Sequence, residues 1–206
     1  MSIVLVGSTS GSCTLQEQAV AGTTVLTLPT TSGTLITTAS SGQSIPRAAL
    51  PTGSVLQVFS TTKTNKFTTT SSSAVDITDL SVTITPTSAS SKILIMTDIN
   101  YSGDANLYGA FFVVRNSTNV VVGTYPTGNQ TAATFGGGVP SDIYKNYSGS
   151  HTYLDSPNLT SAITYKVQAA SAYNSLTLTV NAPYATADAA YIIGGTSTIT
   201  VMEIAA

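Results

Sequence analysis

Alternation of apolar and polar residues is the clearest pattern in this chain, and its period of two is typical of β-strands. In Ser81–Thr85, Ser175–Val180 and Ser197–Val201, Val, Leu or Ile alternates with Ser or Thr. Each of these segments would present one apolar face and one hydroxyl face. No segment shows an amphipathic helical stripe of useful length or a coiled-coil heptad pattern. We therefore predict an all-β fold.

Two further segments, Ile93–Met96 and Ala110–Val114, are apolar on both faces. Such runs belong in the middle of a sandwich, or where one face of a sheet meets another subunit. About nine short strands separated by turns predict an antiparallel β-sandwich or jelly roll, with a long loop at Pro126–Ser150. The predicted strands are Ser54–Ser60, Lys66–Thr70, Leu80–Thr85, Lys92–Tyr101, Leu107–Arg115, Asn119–Tyr125, Ala162–Ala172, Ser175–Asn181 and Ser197–Ile204.

The distribution of large side chains divides the chain at Gly53. Residues 54–206 contain every Tyr and Phe and form the predicted head, whereas residues 1–53 contain no aromatic residue. This first part has too little apolar surface for a core of its own. We predict that it is an extended N-terminal arm that orders by pairing with sister chains or a neighbouring protein. Its β-like pieces are Ile3–Val6, Ser12–Leu15, Thr24–Leu28 and Thr34–Thr37, and the expected assembly contacts are Val25, Leu26, Leu28, Leu35 and Ile36.

Composition narrows the classes of function. Only 8% of the residues are charged and the net charge is −2, whereas about 25% is typical of soluble domains. We therefore expect neither a nucleic-acid nor a membrane partner, and a surface so poor in charge favours burial in an oligomer. The single cysteine, Cys13, cannot form an intrachain disulfide and is expected to be a small buried hydrophobe. The apolar run Ile3–Val6 is too short for the core of a signal peptide, so we expect synthesis in a cytoplasm without secretion.

Segments of both parts resemble structural proteins of tailed bacteriophages, a group that is frequent in phages of cyanobacteria and other aquatic bacteria. Those of the arm and its junction with the head are Thr14–Gln16, Ala19–Pro29, Ser32–Leu35 and Gly53–Val58. Those of the head are Ser91–Met96, Tyr165–Gln168 and Ile199–Ile204. The resemblance covers most of the chain. It implies a virion surface protein, either a capsid decoration protein or a tail-fibre head, that is non-enzymatic and homotrimeric with a β-sandwich head.

Length favours the first of these two classes. An arm of fifty extended residues reaches at most about 165–180 Å, which leaves no room for a long shaft and a tail-attachment domain. We predict a capsid decoration (cement) protein on the virion surface, whose arm binds the major capsid protein or another virion protein and stabilises the shell. The alternative is a tail-fibre or fibre-tip protein that binds a receptor or glycan on the host surface. A cellular carbohydrate-binding module is a third, weaker interpretation.

Few residues are candidates for chemistry, and we predict no enzyme activity and no cofactor. The only histidine, His151, lacks the His-x-His repeat of iron-threading fibres, and a loop or interface role is favoured over a metal site. Asp98 and Asp104 bracket a predicted loop, but the spacing is not that of a calcium loop, and turn-capping is favoured. Tyr144, Tyr147 and Tyr153 lie in or near the long loop. They are candidate glycan or receptor contacts, although packing in the core or the trimer is the favoured role.

Overall fold

The computed structural model describes residues 3–6, 12–15, 50–124, 127–173, 175–185, 188–190 and 192–206. The chain divides into two compact units, Met1–Ile45 and Pro46–Ala206. In the first unit, β1 (Ile3–Val6) pairs antiparallel with β2 (Ser12–Leu15). The sequence pattern predicts both of these strands. The predicted division at Gly53 stays a prediction, and the other arm strands and all five assembly contacts lie outside the described residues: Thr24–Leu28, Thr34–Thr37, Val25, Leu26, Leu28, Leu35 and Ile36.

The second unit is built from strands, and no helix occurs among the residues that the structure describes. Accordingly, the described part of the chain contains no helix long and apolar enough to span a membrane. The strands are β3 (Val55–Lys63), β4 (Phe67–Thr69), β5 (Val75–Ile84), β6 (Lys92–Gly103), β7 (Tyr108–Arg115), β8 (Thr118–Asn119), β9 (Phe135–Gly138), β10 (Tyr147–Asp155), β11 (Ile163–Ser171), β12 (Leu178–Val180) and β13 (Ser197–Ile204).

Two antiparallel sheets make up this unit. In sheet 1 the order is β3-β13-β6-β12-β4, with β10 also paired to β6. Tyr101 of β6 pairs with Tyr147 of β10 and with Val180 of β12, so β10 and β12 lie on opposite edges of β6. Met96 likewise pairs with both β10 and β13, so β12 and β13 share one edge. In sheet 2 the order is β5-β11-β7-β8, and β9 pairs with β7 on the same edge as β8.

Two strands that pair with the same edge of a neighbour occupy one strand position in the sheet, so the unit has eight strand positions in all. Sheet 1 is then β3/β4, β12/β13, β6 and β10, and sheet 2 is β5, β11, β7 and β8/β9. Along the chain the strands cross repeatedly from one sheet to the other, and the first and last lie side by side. This is the order of an eight-stranded jelly roll. The predicted antiparallel sandwich or jelly-roll head is therefore confirmed.

The core lies between the sheets because alternate residues of each strand point inward. Ile93, Ile95 and Ile99 of β6 and Ile199 and Val201 of β13 are at most 1% exposed. Sheet 2 supplies residues of the same kind, which are Ile77, Leu80, Val82, Ile84, Phe111, Val113, Ile163, Tyr165, Val167 and Ala169. Ser81, Thr83 and Thr200 between them face outward, as the alternation predicts, whereas Thr97 of β6 is buried.

One buried polar cluster joins the two sheets at an end of the sandwich. Asp155 of β10 accepts two hydrogen bonds from Nη1 of Arg115, at 2.9 and 2.7 Å, and a third from the hydroxyl of Tyr165 at 2.7 Å. Arg115 and Tyr165 belong to sheet 2, whereas Asp155 belongs to sheet 1. Burial, followed by the hydrogen bond to Asp155, raises the pKa of Tyr165 far above its ordinary value. The tyrosine is therefore a permanent donor to this carboxylate.

The structure differs from the predicted pattern between β7 and β11. The predicted loop Pro126–Ser150 contains β9 and the start of β10. Of the described residues in the predicted strand Asn119–Tyr125, only Asn119 lies in a strand, β8. Val120 instead packs on the main core, and Val122 packs on the outer face of β7. The sequence Phe-Gly-Gly-Gly of β9 has low β-propensity, so only its pairing with β7 identifies it as a strand.

Candidate interaction surface

The cross-strand register aligns a row of apolar residues on the outer face of sheet 1. Met202 of β13 lies opposite Val58 of β3 and Leu94 of β6, and Leu94 lies opposite Leu154 of β10. The row therefore crosses all four strands. Val58 and Leu154 are 50% and 44% exposed, and the other two are half-buried. The pleat that buries their chain neighbours in the core turns these four side chains outward.

This row is widened by Ile204 on one side and Met96 on the other, both half-buried. We call the six side chains Val58, Leu94, Met96, Leu154, Met202 and Ile204 the apolar sheet face. Farther along the strands, beyond Met96, the outward side chains are polar. Beside Met96, the hydroxyls of Ser60 and Thr200 share a cross-strand hydrogen bond of 2.8 Å, and farther along lies Asp98. An apolar patch bordered by hydroxyls is typical of a surface that another protein covers.

The free edge of β3 extends this surface. Among the described strands, β3 pairs only with β13, so the N–H and C=O groups of its other edge have no ladder partner there. Val55 and Phe59 on this strand are 51% and 44% exposed. Exposed apolar edge strands favour pairing with another chain, and proteins normally shield them.

The outer face of sheet 2 has a different arrangement, because the chain covers it itself. Ala110, Phe112 and Val114 of β7 are at most 8% exposed, and Val122 and Ala133 from the connection between β8 and β9 pack on them. Ala170 of β11 completes this small second core. The sequence pattern gives β6 and β7 the same two-sided apolar character. Only the structure shows that the chain covers β7 and leaves β6 accessible.

The rest of that outer face is polar. Nζ of Lys166 donates to Asp76 at 2.8 Å, and Nε2 of Gln168 donates to its other oxygen at 2.7 Å. These hydrogen bonds, that from Lys166 first, lower the pKa of Asp76. This part of sheet 2 therefore presents a charged surface, and the two outer faces of the sandwich are chemically distinct.

The three tyrosines proposed from the sequence as glycan or receptor contacts are not brought together on one surface. Tyr147 and Tyr153 lie on the inner face of β10, half-buried against the core, and the ring of Tyr147 is 6.0 Å from that of Tyr101. Tyr144 precedes β10 and is 44% exposed. Tyr147 and Tyr153 therefore pack against the core, which is the role that the sequence pattern favours for these residues. The role of Tyr144 as a contact stays a prediction.

Sequence reasoning did not single out a different pair of tyrosines. Tyr108 and Tyr173 are 57% and 55% exposed, and their ring centroids are 6.0 Å apart at right angles. Tyr108 begins β7 and Tyr173 follows β11, so the pair forms only when sheet 2 assembles. The backbone N–H of Ala172 donates to the carbonyl of Tyr108 and fixes this approach. The only signal for this pair in the sequence is that each tyrosine lies at, or next to, an end of a predicted strand.

His151 faces inward from β10 and stacks on Phe135, with ring centroids 6.2 Å apart and planes 12° apart. Its Nε2 is buried and has no hydrogen-bond partner among the described residues. Of the two carboxylates considered for calcium, Asp98 lies within β6, and Asp104 follows that strand and accepts a hydrogen bond from the N–H of Thr177. Within the described residues no three His, Cys, Asp or Glu side chains are grouped so that they could hold a metal ion.

Comparisons with known proteins give a likeness in fold only. No protein-family model matches the chain, and no curated protein matches it either. Among solved structures, that of the infectious bursal disease virus Gx strain is 12% identical, with a TM-score of 0.36, over 73% of this chain and 42% of that chain. The crystal structure of the infectious bursal disease virus VP2 subviral particle is 13% identical, with a TM-score of 0.32, over 73% and 37%. At these scores the likeness carries no information about function.

Proposed function

We propose that this protein is a non-enzymatic, trimeric capsid decoration protein of a bacteriophage. In this proposal residues 1–53 attach it to the major capsid protein, and the heads stand on the outside of the shell. The observation that supports it most is the apolar sheet face, which is accessible, whereas the outer face of sheet 2 is polar or covered by the chain itself. The resemblance of the sequence to phage virion proteins supplies the class of assembly.

The occupant that we propose for the apolar sheet face is the same face of neighbouring copies. It has Lys92 and Asp98 only at its two ends along β6, so identical surfaces meet there with little charge repulsion. The accessible edge of β3 lies beside it and would be shielded in the same contact. Burying apolar surface contributes roughly 25 cal/mol per Å², and three copies that bury it together remove the exposed patch from water.

In this proposal the arm attaches through its strands. The ladder of β1 and β2 comprises only four residue pairs, and isolated two-stranded ribbons are marginally stable in water. Addition of strands to a neighbouring sheet would stabilise such a segment. In this proposal the arm acquires its lasting structure on the shell, and the free energy of pairing stabilises the particle.

Substitution at the centre of the apolar sheet face tests the trimer. We expect Leu94→Asp to convert a trimer into a monomer of unchanged circular dichroism, because a carboxylate would be buried in the contact. The matched control is Ser81→Asp, an exposed position on the outer face of sheet 2. Light scattering after size exclusion gives the mass of each variant. A Leu94→Asp protein that remains trimeric would contradict this contact, and a monomeric wild-type chain would contradict the trimer itself.

Particle biochemistry tests the shell location. A decoration protein is present in hundreds of copies per virion, whereas a tail protein is present in a few dozen or fewer. We expect particles that lack this protein to release DNA at a lower temperature. Deletion of residues 1–50 should leave a folded head that does not join the particle. Equal heat resistance with and without the protein, or full incorporation of the truncated chain, would contradict the attachment mechanism.

The exposed pair Tyr108 and Tyr173 favours a second candidate, a fibre tip that binds a host receptor or glycan. Exposed aromatic rings supply flat apolar area that stacks on sugars or anchors protein contacts. Excess purified protein would then block phage adsorption, and Tyr108→Ala with Tyr173→Ala would abolish the block. Unimpaired adsorption in the presence of wild-type protein excludes this role.

A further inference from the structure

Lys63 is the buried cation of the head. Its residue is 1% exposed at the end of β3, and its Nζ donates a hydrogen bond of 2.6 Å to Oδ1 of Asn65. No salt bridge to Lys63 occurs among the described residues. A charged group removed from water without an anionic partner is costly, so this arrangement requires an explanation.

A carboxylate completes the cluster from the other sheet. Nδ2 of Asn65 donates to Oδ2 of Asp79 at 3.2 Å, so the side-chain amide of Asn65 lies between the amine and the carboxylate. Asp79 lies in β5 where the register with β11 shifts, and its φ is +62°. A non-glycine residue in this conformation is strained, and such bulges commonly redirect a side chain. The backbone of β5 thus holds the carboxylate at the nitrogen of Asn65.

We propose that Lys63 and Asn65 form an isopeptide bond, with Asp79 as the proton carrier. The amine of Lys63 attacks Cγ of Asn65, a bond forms from Nζ to Cγ, and the bond from Cγ to Nδ2 breaks. Overall, the ammonium of Lys63 loses two protons and the leaving nitrogen gains two and departs as ammonium. Asp79, in contact with that nitrogen, transfers protons and is regenerated. No oxidant or other co-reactant is needed, and the product is a neutral amide in place of a buried charge.

The geometry has the three elements that such a reaction needs. Nζ of Lys63 lies 2.6 Å from Oδ1 of the amide that it attacks, and the leaving nitrogen contacts a carboxylate that can carry protons. The lysine is 1% exposed, whereas Asn65 and Asp79 lie at the exposed side of the cluster. The neighbouring Lys66 lacks this environment because it is exposed. The proposal is independent of whether the protein belongs to a capsid or a tail.

Intact-mass spectrometry of the denatured full chain tests it. We expect the mass to lie below that of the sequence by one ammonia, and trypsin to cleave after Lys66 but not after Lys63. Lys63→Arg and Asn65→Ala should each have the mass of their sequences, whereas the control Lys66→Arg should retain the deficit. Asp79→Asn should lose most of it.

Two results would overturn the proposal. One is a wild-type chain of full sequence mass, which needs no variant to fold. The other is a deficit that persists in Lys63→Arg or disappears with hydroxylamine, because an asparagine succinimide also loses one ammonia but does not use the lysine.

Discussion

Replacement of Tyr165 by Phe removes one hydroxyl from the buried cluster that joins the two sheets. Tyr165 is 0% exposed, and its hydroxyl donates at 2.7 Å to Asp155, which also accepts from Arg115. A hydrogen bond to a charged group contributes about 1.5–3 kcal/mol. Because Phe fills the same ring volume, we expect the free energy of unfolding to fall by about this amount through the lost bond alone.

Urea denaturation at fixed protein concentration measures this change, since association would make stability depend on concentration. For a chain of this size, each kcal/mol of lost stability lowers the melting temperature by about 2–4 °C. In thermal unfolding the midpoint should therefore fall by roughly 3–12 °C. Tyr153→Phe is the matched control. Tyr153 is half-buried against the same core, but its hydroxyl has no hydrogen-bond partner among the described residues, and we expect a change below about 0.5 kcal/mol.

A double-mutant cycle separates the cluster from ring packing. In an Arg115→Met background, Asp155 has already lost its cation, and the effect of Tyr165→Phe should differ from its effect in the wild type by about 0.5 kcal/mol or more. If Tyr165→Phe were as stable as the wild type, or if the two substitutions were strictly additive, the hydrogen-bonded cluster would not stabilise the sandwich.

Three further predictions concern the core, a glycine and pH. Ile95→Ala should destabilise the head by about 2–5 kcal/mol through a cavity, whereas Leu94→Ala, one residue away on the outer face, should mainly weaken association; equal losses of unfolding free energy would refute this division. Gly137→Ala should cost about 1–3 kcal/mol, because its Cβ would overlap Oη of Tyr101, and Tyr101→Phe should recover part of that loss in a urea titration. Burial raises the pKa of Glu203, but the hydrogen bonds from Thr87, Ser91 and Gln57 together lower it by more than burial raises it. The net pKa of Glu203 therefore lies below the ordinary value. The stabilisation by Glu203 is therefore complete above about pH 4.3 and is lost as pH falls through the lowered pKa. Glu203→Gln should flatten the dependence of the unfolding free energy on pH between about pH 5 and 3, and an unchanged dependence would refute this.

The aromatic and histidine residues of β10 illustrate how far pattern reasoning extends. Tyr147, His151 and Tyr153 occupy alternate positions with Ser and Thr between them, which is the same signal that identifies β13 to its end residues. The predicted loop Pro126–Ser150, which rests on the glycines at positions 136–138, nevertheless covers the start of β10. A Cβ placed on Gly149 would lie 3.0 Å from the ring of Phe135, so the absence of a side chain at this position makes room for the aromatic residue of β9.

Pattern and composition were enough to predict the all-β class, most strands of the head with their inward positions, and the contrast between a segment poor in large side chains and one rich in them. These properties follow from local alternation and composition, which each segment carries alone. Neither shows that the outer side of β6 stays accessible while that of β7 is covered, or that Lys63, Asn65 and Asp79 meet; both facts come from the folded chain. The reason is that both depend on strands far apart in the chain being brought to one place, and periodicity within a segment contains no information about its neighbours in space.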